Sequence, residues 1–194
     1  MYQLVHSLSC TIWYMQSQRA TSPRRDEILE HCLAAYIRAG TLDVSLDELS
    51  RLVHVSKRML IHYFFSRENI EQWAMILLED RLRGQFSPQA FPPKVKAADV
   101  VSALWSRTVA PESRGVLTLV MDISRRAWNG SDRARSFYRE QQRLWEELLG
   151  KYIRDRERVA EFLQLFQGAV LAYLVTGDAA AGRRSLIRAV KRAK

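Results

Sequence analysis

Apolar residues recur along this chain at intervals of three and four, rarely at two, which predicts helices throughout and an all-α fold. The first predicted helix opens at Ser22-Pro23, a hydroxyl cap followed by proline at the first helical position. Asp26 and Glu27 lie in its first turn, where the helix dipole favours acids. Ile28, Cys32, Ala35, Tyr36 and Ala39 form its apolar stripe, and Gly40 ends it. Ser45-Leu46-Asp47-Glu48 is a capping box that announces a short second helix reaching about Leu52. Val53-His54-Val55 then makes a tight connection, and Ser56 caps a third helix ending near Phe64. Two short helices joined by about three residues are a helix-turn-helix arrangement.

Ser66 caps a long fourth helix with Ile70, Trp73, Ala74, Leu77 and Leu78 on one face and Gly84 near its end. The segment from Ser87 to Pro93, with three prolines, reads as a loop. Further helices are predicted over about 95–109, 112–129, 132–154, 156–177 and 179–193, so about nine in all. The expected organisation is an N-terminal extension at 1–22, a three-helix helix-turn-helix domain at 23–68 and a larger helical domain at 69–194. The helix over 156–177 is apolar nearly all round and must be covered on both sides, the second by a partner or, alternatively, by the rest of its own chain. Gly168, Ala169 and Ala172 would let helices approach closely there. Phe162, Phe166, Ala169, Val170 and Tyr173, with Leu186, Ile187 and Val190 of the last helix, are the predicted interface of a two-fold homodimer built as a four-helix bundle.

Composition narrows the class of protein. Of 194 residues, 47% are hydrophobic and 26% charged, which is globular. The formal net charge of +9 invites a nucleic-acid reading, but residues 1–86 hold 10 Lys+Arg against 10 Asp+Glu, and the excess lies beyond them. The local pattern carries more: from His54 to Arg67 there are three basic side chains, two histidines and no acid. The two cysteines, Cys10 and Cys32, have no metal-ligand spacing, and neither do His6, His31, His54 and His62. No phosphate loop, nucleophile elbow or carboxylate pair stands out, so no enzyme, metal or cofactor is expected. The segment Leu4 to Met15 lacks the features of a signal peptide. No apolar run approaches the roughly 20 residues of a membrane span, and a soluble cytoplasmic protein is expected.

The stretch Ile28-Leu29 through Gly40, then Ser45-x-x-x-Leu49-Ser50, Val55-Ser56-Lys57, Leu60, Phe64 and Arg67-Glu68-x-Ile70, resembles the DNA-binding domain of the tetracycline-repressor (TetR) family over about 45 residues without a gap. The resemblance implies that the third helix enters a major groove about 12 Å wide. Ser45 and Ser56, at helix N-termini, would bond phosphates. Lys57, Arg58 and Met59 would face base edges or nearby phosphates, His62 and Tyr63 would lie farther along, and Arg67 would clamp the backbone. The chain departs from the family at Arg58, where glycine is usual, and at Ile61, where a phosphate-binding tyrosine is usual. Arg58 then either offers a bidentate contact to guanine or obstructs close docking, and Tyr63 offers a replacement for the lost phosphate contact. His31 reads as a partly exposed polar residue of the first helix.

The same resemblance implies a dimeric repressor, its recognition helices about one DNA turn or roughly 34 Å apart, that binds operator DNA and is released by a small-molecule effector. Trp105, Met121, Trp128, Phe137, Tyr138 and Trp145 are candidates for lining the effector pocket, with plain core packing as the alternative, and the basic excess suits either an acidic effector or a solvated charged face. The rival expectation, motivated by Arg58 and Ile61, is a helical small-molecule-binding or scaffold protein with a degenerate helix-turn-helix.

Overall fold

In the computed structural model, residues 22–92 and 94–191 are described. The expected extension therefore lies, Ser22 apart, outside the described residues, as does Cys10. Among the described residues there are nine α-helices and no strand: α1 (Pro23–Ala39), α2 (Leu46–Val53), α3 (Lys57–Phe64), α4 (Arg67–Gly84), α5 (Ala97–Thr108), α6 (Arg114–Trp128), α7 (Asp132–Leu149), α8 (Arg156–Thr176) and α9 (Ala179–Lys191). Short 3-10 turns at Pro88–Ala90 and Pro111–Ser113 precede α5 and α6.

The capping chemistry accounts for most boundaries. Ser45, Ser56 and Ser131 accept from backbone N–H groups of Glu48, Met59 and Ala134 at 3.1, 3.3 and 3.2 Å. One boundary differs from expectation: α7 stops at Leu149, well short of 154. The Gly150 and Lys151 amides turn back onto Glu146 and Leu148, and the Tyr152 hydroxyl donates to the Phe86 carbonyl at 2.7 Å. Asp155 then caps α8 through the Glu157 amide.

The chain forms two compact units, and the division falls within α1 and α4. The first comprises described residues 22–35 and 45–74. Ile28, Cys32, Leu49, Leu60, Phe64 and Ile70 are buried in it, and the Arg25 guanidinium covers the Phe64 and Trp73 rings at 5.2 and 4.7 Å. Burial pushes the Cys32 thiol up to about 12, so it is an inert core residue.

The second unit comprises residues 36–44 and 75–191. In it α9 packs on α8 and α5, and α7 packs on α6 and α8. Trp105 is the largest fully buried side chain: its indole N–H donates to the Ala179 carbonyl at 2.8 Å, and Phe166 and Tyr173 meet its ring edge to face. Gly182 makes room for that ring, because a Cβ there would lie 2.2 Å from Cζ2 of Trp105. The loop after α1 is tied to α6 through Asp122, whose carboxylate accepts from the Thr41 hydroxyl and the Leu42 amide, both at 3.1 Å. Gly115 lets α6 approach the Ile37 carbonyl, which a Cβ would meet at 2.5 Å. Contrary to the expectation that no helix is long and apolar enough to cross a membrane, α8 reaches that length and a mean hydropathy of 1.4. Its Val159, Phe162, Leu163, Ala169 and Val170 are buried in the unit's core.

Candidate functional site

Within the first unit the turn between α2 and α3 is built by His54, which takes left-handed backbone angles (φ 55, ψ 36), a conformation histidine tolerates better than most side chains. The Ser50 hydroxyl donates to the Val55 carbonyl at 2.7 Å and the Val55 amide to the Ser50 carbonyl at 3.2 Å, which closes the turn. Leu49 and Val53 beneath α2 and Leu60 and Phe64 beneath α3 are buried, so the opposite face of α3 is fixed toward solvent.

On that face Lys57, Arg58, Met59, Ile61 and His62 are exposed, and α3 carries no acid. Lys57 Nζ lies 2.7 Å from Asp47 Oδ1; both groups are exposed, so the pair contributes little and a phosphate can replace the carboxylate. Arg58 has no acidic partner among the described residues. Tyr63 is half-buried, with its ring at 5.2 Å from His62, edge to face. Ser45 and Ser56 use hydroxyl lone pairs as caps and keep their O–H groups available for a phosphate oxygen. Arg67 differs from the picture of a free clamp: it is half-buried and ion-paired with Glu71 at 3.0 Å, one helical turn along α4. His31 is exposed on α1.

The second unit contains a cavity of about 370 Å³. Met121, Phe137, Tyr138 and Trp145 line it, together with Phe86 and Phe166. Two expected lining residues do not. Trp105 is consumed by the core, as described above, and Trp128, at the end of α6, is 90% exposed; helical spacing places aromatics on a face but does not say which face is buried. What aromatic spacing missed is a buried carboxylate. Glu79 lines the cavity at 7% exposure, accepts from the Trp145 indole N–H at 3.0 Å and lies 3.6 Å from the Arg83 guanidinium. Burial pushes its carboxyl up from the usual glutamate value, against the opposing pull of the Trp145 hydrogen bond and the Arg83 charge. Arg83 also donates to Gln141 and, at 2.6 Å, to Asp80. The signal was present in the sequence: Glu79 stands four residues after Met75 and next to Leu78, on the apolar side of α4.

The residues expected to form a dimer face do not share one exposed surface. Phe162, Ala169, Val170 and Leu186 are buried within the unit itself; Phe166 lines the cavity, and the Tyr173 hydroxyl donates to the Val109 carbonyl at 3.0 Å. Ile187 and Val190 are half-buried. The open side of α8 instead presents Leu165, Leu171 and Val175, with Gly168 between them and nothing within 4 Å of its Cβ position. An all-round apolar helix does not reveal which arc its own domain covers. Among the described residues no group of three or more His, Cys, Asp or Glu side chains is placed to hold a metal ion.

The chain shares its fold with solved bacterial regulators. One from Rhodococcus sp., described as a TetR-family transcriptional regulator, superposes with a TM-score of 0.73 at 17% identity over 89% of this chain and 99% of that one. A transcriptional regulator from Streptomyces coelicolor A3(2) gives 0.71 at 18% identity over 87% and 99%. A third, from Rhodococcus sp. Rha1, gives 0.69 at 16% over 89% and 96%. No family model matches the sequence, and no curated protein does.

Proposed function

We propose that this chain, which has the fold of TetR-family regulators, is a transcriptional regulator that binds operator DNA as a homodimer through α3 and is released by a small molecule bound in the cavity of its second unit. The observation that carries the reading is the solvent face of α3: cationic, free of acids and held rigidly by two serine caps and the His54 turn. Arg58 is the specificity contact, since its guanidinium is unpaired among the described residues and matches the two acceptors of a guanine edge. Lys57 and the Ser45 and Ser56 hydroxyls serve the phosphates. Exposed Met59 and Ile61, 40% and 38% accessible, suit thymine methyl groups. The exposed stripe on α8 serves as the dimer face.

A mobility-shift titration on the DNA flanking the protein's own gene tests this. A shift that weakens steeply with salt is expected. Arg58→Ala should cost about 1–3 kcal/mol on the specific site and much less on random DNA. Absence of a salt-sensitive shift overturns the proposal.

A further inference from the structure

We propose that the cavity of the second unit takes an amphiphilic amine, its apolar body among the aromatic side chains and its ammonium group hydrogen-bonded to Glu79. The inference deepens the effector reading above and rests on it for its biological meaning, but it stands on the cavity alone for its chemistry. Glu79 carries two oxygens, and only one of them is occupied. Oε2 receives both the Trp145 indole N–H and the approach of Arg83. Oε1 has no hydrogen-bond partner among the described residues, although the side chain is nine-tenths buried and lines the cavity. Oε1 keeps accessible surface on a side chain that lines the cavity, and a ligand donor placed there gains a charge-assisted bond in a mostly apolar wall.

The charge balance selects a cationic donor over a neutral one. With Glu79 ionised, as an ammonium ligand would hold it, Glu79, Asp80 and Arg83 form one cluster with a net charge of −1, and Arg83 is drawn chiefly to Asp80 and Gln141, which leaves Glu79 the weaker partner at 3.6 Å. The Trp145 ring, whose N–H bonds the same carboxylate, lines the cavity and offers a π surface beside it. An acidic ligand, the expectation drawn from the basic composition, would have to use Arg81 and Arg107 at the exposed rim. Arg107 is already engaged over the Phe86 ring at 4.9 Å and with the Gln85 carbonyl. Its apolar tail would then lie against an unneutralised carboxylate.

The test uses the full chain and three probes with one body: 4-phenylbutylamine, 4-phenylbutan-1-ol and 4-phenylbutyrate, titrated by calorimetry at neutral pH. The amine is expected to bind about tenfold tighter than the alcohol or better, with the carboxylate weakest. Glu79→Gln should bring amine and alcohol within about twofold of each other while leaving the alcohol's affinity in place. The order of the three probes on the native chain is decisive without any variant. Tightest binding by the carboxylate, an amine no tighter than the alcohol, no binding by any probe, or an equal loss of all three in Glu79→Gln overturns the proposal. A mobility shift run on the same preparation separates the two readings: amine binding without DNA binding sinks the regulator and keeps the site, and DNA binding without amine preference does the reverse.

Discussion

Two buried carboxylates in the second unit have opposite effects on stability. Burial tends to raise the Asp122 carboxyl, but hydrogen bonds from Arg125, Leu42 and Thr41 and the Arg126 charge hold it below the ordinary aspartate value of 3.8. A depressed carboxyl contributes stability that is present above the unfolded value and lost as pH falls through the folded one. Asp122→Asn should therefore destabilise the protein at neutral pH by about 2 kcal/mol, since it weakens two charge-assisted bonds and loosens the 40–44 loop. The gap to the native protein should close as the pH is lowered below 3.8, a comparison that chemical denaturation at several pH values makes directly. Glu79 has the reverse sign. Its folded carboxyl lies above the ordinary value of 4.5, so its contribution is favourable below 4.5 and is lost as pH rises through the raised value. At neutral pH Glu79 therefore lowers stability relative to pH below 4.5, and Glu79→Gln should melt no lower than the native chain and above it if Arg83 stays with Asp80 and Gln141. A cost of this kind, kept in a cavity wall, is what a ligand site leaves behind.

At the scale of elements, helix ends were more legible than helix faces. Serine caps, Gly40 and the capping box state their own hydrogen bonds in sequence, and α1 to α4 begin and end within a residue or so of where those signals stand. Faces are set by neighbours far along the chain. Nothing adjacent to Trp105 and Trp128 distinguishes a fully buried indole from one that is 90% exposed. The close contact between α5 and α9 shows the same dependence on distant partners. Ala would ordinarily stabilise a helix relative to glycine by about 1 kcal/mol. Gly182→Ala should instead destabilise this protein by about 1–3 kcal/mol, because the added methyl drives into the Trp105 ring, whose N–H is pinned to Ala179. A melting temperature at or above that of the native chain would show that the ring can move aside.

At the scale of the whole molecule, the proposed homodimer raises the question of which side of α8 would meet a second copy. Single exposed apolar residues are ordinary on protein surfaces. Leu165, Leu171 and Val175, respectively 38%, 57% and 78% accessible, share one side of a 21-residue helix with the open Gly168, and together they make a stripe that water solvates poorly. Phe162 and Val170, on the other side, are already used within the protomer. The two sides therefore predict different phenotypes. Leu171→Glu should sediment as a monomer with unchanged helical content, because the charge meets only the partner, and its DNA affinity should fall because one recognition helix cannot hold two half-sites. Phe162→Ala should leave the native assembly state intact in whatever fraction is folded and lower stability by about 3–5 kcal/mol, as core truncations of aromatic residues do. Analytical ultracentrifugation of both variants beside thermal denaturation decides between the faces. A dimeric Leu171→Glu with a monomeric, well-folded Phe162→Ala would place the interface on the side the amino-acid pattern first suggested, and the core described here would be wrong.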